Sequence, residues 1–136
     1  MRILMTADAV GGVWSYALTL AESLRSDDVE VTLATMGPRP DRAQRMAADK
    51  LGNVRLFESS YRLEWMPEGW KDVGAAGRWL MQLADDEGVD IVHLNGYALA
   101  SLPWRRALEQ RGRLVLRLRS AHPSWRESRA SRNVSG

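Results

Sequence analysis

Residues 1–24 read MRILMTADAVGGVWSYALTLAESL, and the way this stretch divides decides the fold. Residues 2–6 (RILMT) form a short, nearly continuous apolar run, which suits a strand covered on both faces of a parallel sheet. Residues 7–12 form a turn carrying Gly11 and Gly12. Val13, Ala17, Leu20, Ala21 and Leu24 then recur at the spacing of one helix face, so an amphipathic helix follows, ended by Ser26, Asp27 and Asp28. In open α/β sheets ligands sit outside the carboxyl ends of the strands, where helix N-termini point, so this turn is the expected ligand-facing element.

Working outward, strand and helix signals alternate. Residues 29–35 (VEVTLAT) alternate apolar and polar side chains with β-branched character and read as a second strand. The run Gly37-Pro38-Arg39-Pro40 breaks it, and Asp41 is placed to cap a polar helix reaching about Lys50. Gly52-Asn53 turns into a short third strand over 54–57. Residues 58–71 hold Tyr61, Trp65 and Trp70 with no clean period, a length of loop that is often functional. A helix over 72–87 buries Val73, Ala76, Trp79, Leu80 and Leu83. A fourth strand over 89–94 (VDIVHL) leads to the turn Asn95-Gly96, a helical stretch over 97–110 around Pro103, and a fifth strand over 113–118 (RLVLRL). Alternating strands and helices imply right-handed crossovers and a mostly parallel sheet: a Rossmann-like, three-layer α/β domain over 1–119, with a basic, disordered tail over 120–136.

The composition narrows the chemistry. The 136 residues are one domain by length. The sequence has no cysteine and two histidines, which removes disulfides, thiolate nucleophiles and Cys-based zinc sites, and disfavours a His-rich metal site. No apolar run reaches a membrane span, and the apolar N-terminus is broken by Asp8, unlike a signal peptide. The expected location is the cytoplasm, with the inner face of the membrane as a peripheral alternative. The net charge of +2 is unevenly spread: residues 1–104 carry 10 Lys/Arg against 15 Asp/Glu, net −5, and residues 105–136 carry 9 against 2, net +7. A basic end can contact nucleic acid or anionic lipid, but this one has only Trp125 for stacking.

Several residues are candidates for a site. Backbone N–H groups at a helix N-terminus favour phosphate, and glycine permits close approach, so Gly11 and Gly12 either meet an anionic ligand or serve only the turn. ADAVGGVW is not G-x-G-x-x-G, the second strand ends without an acid for a ribose, and no G-x-x-x-x-G-K-[ST] occurs; NAD-binding and P-loop readings therefore fail. Asp8 either orients a sugar hydroxyl, acts as a base or is structural. His93, near a strand's carboxyl end, is either cleft-lining or core. His122 lies among polar tail residues. Trp65 and Trp70 either stack on a ligand or pack beneath the loop, and Asp85, Asp86 and Glu87 are a solvated helix end.

The ordered set RILMTADAVGGVWSYALTLAESL, VEVTLATMGPRP, YRLEWM and VDIVHLNGYALASLPW resembles the N-terminal, acceptor-side domain of retaining glycosyltransferases of family 4, which have the two-domain GT-B fold. The resemblance covers about residues 1–104. It implies that Gly11, Gly12 and Val13 lie near the donor diphosphate, that Asn95, Gly96 and Tyr97 line the cleft with Asp8, His93 and Trp65, and that His122 occupies the place of the family's histidine near the transferring sugar. It implies a nucleotide-sugar donor, an unidentified acceptor, and no metal or other cofactor. Family members carry a second, donor-binding domain with an E-x7-E motif, and this sequence is expected to lack that domain. The charge reversal falls where the resemblance fades, so a truncation by frameshift near codon 105 is expected, with no catalysis by this chain alone, a C-terminal half that is either missing or separately encoded, and self-association through uncovered apolar surface. The competing readings are a stand-alone module binding a sugar phosphate or nucleotide at Gly11-Gly12, and an interaction protein working through its Arg-rich end.

Overall fold

The computed structural model describes residues 1–10, 12–62, 66–95, 104–110 and 112–118. Five strands, β1 (Arg2–Asp8), β2 (Glu30–Met36), β3 (Val54–Glu58), β4 (Ile91–Asn95) and β5 (Leu114–Leu118), form one sheet in the order β3-β2-β1-β4-β5. Every pairing in it is parallel. The helices are α1 (Gly12–Leu24), α2 (Arg42–Lys50), α3 (Val73–Asp86) and α4 (Trp104–Gln110), with 3-10 turns at Arg25–Asp27 and Gly69–Asp72. This is the α/β Rossmann-like architecture expected from the alternation of elements.

The period of two along β1 separates two cores. Ile3, Met5 and Ala7 face α1 and α2 together with Val31, Leu33, Trp14, Ala17, Ala21 and Ala48. Leu4 faces α3 with Ala34, Val92, Leu94, Leu80, Leu83 and Ala84. A sheet packed on both faces accounts for the burial of β2. The threonines that alternate with apolar residues in β2, Thr32 and Thr35, are buried along with the apolar residues between them. As the neighbour of the central strand, β2 has no solvent face to give them.

Helix ends follow local chemistry. Asp41 caps α2: its carboxylate accepts from the Gln44 N–H at 2.8 Å, while Gln44 Oε1 accepts from the Asp41 N–H at 2.9 Å, a reciprocal capping box. Beyond α1, Asp28 takes a left-handed conformation (φ 56°) and closes the 3-10 turn back onto the Arg25 carbonyl, as the Ser26-Asp27-Asp28 stop predicts. Arg113 ties the start of β5 to the end of α3, donating to the Val89 and Ala84 carbonyls, each at 3.1 Å. No helix among the described residues is long and apolar enough to cross a membrane.

Candidate functional site

The strand order contains one reversal. The chain passes from β1 outward to β2 and β3, then returns to lay β4 on the other side of β1. At such a switch point the connections leave the sheet in opposite directions and open a crevice at the strands' carboxyl ends. Here the carboxyl ends of the two strands at the switch point are Asp8 and Asn95, and α1 begins four residues after Asp8.

Gly12 is the first residue of α1 rather than part of the preceding turn. It is exposed, its φ is not positive, and a Cβ built on it would meet nothing within 4 Å. Neither backbone conformation nor packing within the described residues accounts for glycine there. Val13 behind it is half-buried against the α1-side core. Trp14, outside the apolar face read from spacing, is buried to 6 % exposure and anchors the first turn of the helix.

Asp8 closes the turn: its Oδ1 accepts from the Val10 N–H at 2.9 Å, so this carboxylate has a structural task whatever else it does. His93 pairs in register with Met5 of β1 and lies on the α1 face of the sheet, 8 % exposed. Its ring sits 6.4 Å from that of Tyr16 at an interplanar angle of 44°. Tyr16, one helical turn after Gly12 and 45 % exposed, is a residue that sequence periodicity passes over, because it falls off the apolar stripe. Gln44 is a second one; its Nε2 donates to the Ala9 carbonyl at 2.9 Å, across 35 residues of sequence.

Asp8, Gly12, Val13 and the backbone of Asn95 thus converge on one edge of the sheet, with His93 beneath Tyr16. Gly11, Trp65, Gly96, Tyr97 and His122 lie outside the described residues, as does the tail over 120–136. Near Trp65, Tyr61 packs on Trp79 with ring centroids 5.7 Å apart. The Arg62 N–H donates to Asp72 Oδ2 at 2.6 Å, and Trp70 stands 72 % exposed with the Lys71 ammonium 5.7 Å over its ring. The Asp72 carboxyl is held below the ordinary carboxylate range, first by that backbone N–H and then by the Arg62 side chain.

The family profile of Glycosyltransferase Family 4 matches residues 10–134. The chain belongs to Glycosyltransferase Family 4. Solved structures agree on the fold of this family 4 domain. The apo UGT2 of Phytolacca americana superposes with a TM-score of 0.62 at 16 % identity, over 85 % of this chain and 28 % of that one. A glycosyltransferase from Rickettsia africae ESF-5 gives 0.57 at 17 % identity, over 93 % and 32 %. A ugt transferase from Siraitia grosvenorii, solved in complex with UDP, gives 0.58 at 15 % identity, over 87 % and 27 %. The family 4 domain therefore spans about 27–32 % of the length of these structures and has the Rossmann-like architecture of a GT-B N-terminal domain. A comparison with curated proteins gave no match. The family match also runs to residue 134, past residue 104 where the sequence resemblance fades.

Proposed function

We propose that this chain is the acceptor-side domain of a retaining glycosyltransferase, and that the turn after β1 and the N-terminus of α1 receive the diphosphate of a nucleotide-sugar donor. The observation that carries the reading is Gly12. A glycine at the start of a helix costs conformational entropy on folding. Among the described residues it is offset neither by a positive φ nor by a close protein neighbour. Open space in front of helix N–H groups is what a phosphate needs, since these donors and the helix dipole both favour negative charge.

The chemistry follows from charge. Cleaving the bond between sugar and diphosphate builds negative charge on the departing phosphate oxygens. Fixed backbone donors stabilise that charge as it develops, and do so most strongly in a site closed to water. One wall of such a site is the α1 edge of this domain. The opposite wall belongs to a donor-binding domain, so transfer requires that partner and this chain alone binds without turnover. Asp8 and His93 then act from the floor of the acceptor side.

UDP is the appropriate probe, because the Siraitia grosvenorii structure of the same fold contains it. UDP at saturating concentration should raise the melting temperature of the chain, and Gly12→Val should remove that rise. Absence of a UDP-dependent shift in the wild-type chain would overturn the diphosphate reading. Sugar transfer on mixing with a separately expressed donor-binding domain tests the need for two walls; turnover by the chain alone would refute it.

A further inference from the structure

The peptide unit joining Ala9 to Val10, directly before the glycine pair, is held at both ends. Its carbonyl oxygen accepts from Gln44 Nε2 at 2.9 Å, and its N–H donates to Asp8 Oδ1 at 2.9 Å. Gln44 is itself fixed, because its Oε1 accepts from the Asp41 N–H at 2.9 Å and its own N–H donates to Asp41 Oδ1 at 2.8 Å. The two amide atoms of Gln44 meet one donor and one acceptor, so only one orientation of the group satisfies both.

We infer that Gln44 is a positioning residue for the ligand-facing turn: it uses the capping box of α2 as an anchor and sets the plane of the Ala9–Val10 peptide, and through it the direction of the N–H groups that follow. This inference rests on the diphosphate reading of the turn. The geometry argues for more than a helix cap. A capping box needs only the Oε1 of its third residue, which glutamate supplies equally well. The Nε2 donor is surplus to capping and is spent on the turn after β1, which α2 reaches only because the parallel sheet places β2 beside β1. Donors aimed in advance at an anion need no reorganisation when it binds. A peptide plane locked at both ends supplies that condition, whereas a turn held by Asp8 alone leaves the carbonyl end unrestrained.

Gln44→Glu separates the two roles. The carboxylate keeps the acceptor for the Asp41 N–H and suits a helix first turn, so α2 and the melting temperature are retained. Its second oxygen faces the Ala9 carbonyl at the distance of a lost hydrogen bond, and the two repel. In the full 136-residue chain, Gln44→Glu should speed hydrogen exchange of the Val10 amide and weaken UDP binding, each by about tenfold, the scale of one net hydrogen bond. The companion variant Asp41→Ala loses the carboxylate half of the capping box but keeps the residue-41 backbone N–H that holds Gln44 Oε1, and with it the Nε2 donor. It should lower the melting temperature by about 2–8 °C while leaving UDP affinity within about twofold at a temperature where the chain is folded. Unchanged Val10 exchange in Gln44→Glu overturns the inference. So does an equal loss of UDP affinity in the two variants, which would mean that Gln44 acts through the stability of α2. If the wild-type chain binds no UDP, the diphosphate reading fails by itself, and the exchange comparison, which needs no ligand, still decides whether Gln44 sets the turn.

Discussion

Gly12→Ala pits folding against binding at a single methyl group. On the folding side, the added Cβ meets no described residue within 4 Å and the backbone is not in the left-handed region, so neither contributes native strain. Alanine also restricts the unfolded chain, and substitutions of this kind at compatible positions stabilise by about 0.4–1 kcal/mol. For a domain of this size that is a rise in melting temperature of about 1–5 °C. On the binding side, the methyl stands at the mouth of α1, where a phosphate oxygen would approach its first N–H groups. Displacing that oxygen removes a charge-assisted hydrogen bond, about 1.5–3 kcal/mol, or about 10- to 150-fold in Kd. Scanning calorimetry and isothermal titration with UDP on the same preparations give both numbers. The expected signature is opposite signs: a more stable protein that binds more weakly. A fall in stability would mean that Gly12 has a conformational task after all. Affinity within twofold of wild type would mean that the phosphate does not approach this residue.

Other substitutions test the frame that holds the site. Leu4→Ala removes a fully buried side chain from the α3-side core on the central strand and should cost about 2–5 kcal/mol in chemical denaturation, without preference for the site. Asn53 Nδ2 donates to the Ala21 and Val29 carbonyls at 2.9 and 3.0 Å, stitching α1 to β2 and β3, so Asn53→Ala should cost about 1–3 kcal/mol by leaving those half-buried carbonyls unpaired. Asp72, with its folded-state pKa lowered below that of the unfolded chain, contributes stability that is complete above the unfolded value of about 3.9 and is lost as pH falls through the folded value. Asp72→Asn should therefore flatten the dependence of stability on pH below about pH 4, measured by urea titration at several pH values.

The parts of this architecture that can be read from sequence are those set by short-range pattern. The apolar run of β1, the periodic face of α1 and the stops at Asp28 and Gly88 each depend on neighbours in the chain, and each recurs in the structure. The burial of Thr32 and Thr35 is not legible in β2 alone, because it depends on what packs against the sheet. The switch point was legible, since a glycine turn after a first parallel strand points to one in this class of fold. Its supporting contacts were not. Tyr16 meets His93 only once β4 is laid beside β1, and Gln44 reaches Ala9 only once α2 is placed by β2 and β3. In both cases the sequence holds the residue but not the distance.

The family match changes the meaning of the charge reversal. The match continues to residue 134. It therefore takes in the nine arginines of residues 105–136. Topology adds where that charge enters. Because β5 runs parallel to β1, its carboxyl end at Leu118 lies on the same edge of the sheet as Asp8 and the start of α1. Four of the nine arginines, Arg119, Arg126, Arg129 and Arg132, follow Leu118 in the sequence. Positive charge there raises the local concentration of an anionic ligand, and salt screens it over a Debye length of about 10 Å at 0.1 M. UDP affinity should accordingly fall severalfold between about 50 and 200 mM salt, and neutralising Arg113 should not reproduce the loss, because that guanidinium is committed to the Val89 and Ala84 carbonyls. Affinity independent of salt would show instead that binding is carried by the fixed backbone donors of α1 alone, with the arginines playing no part in it.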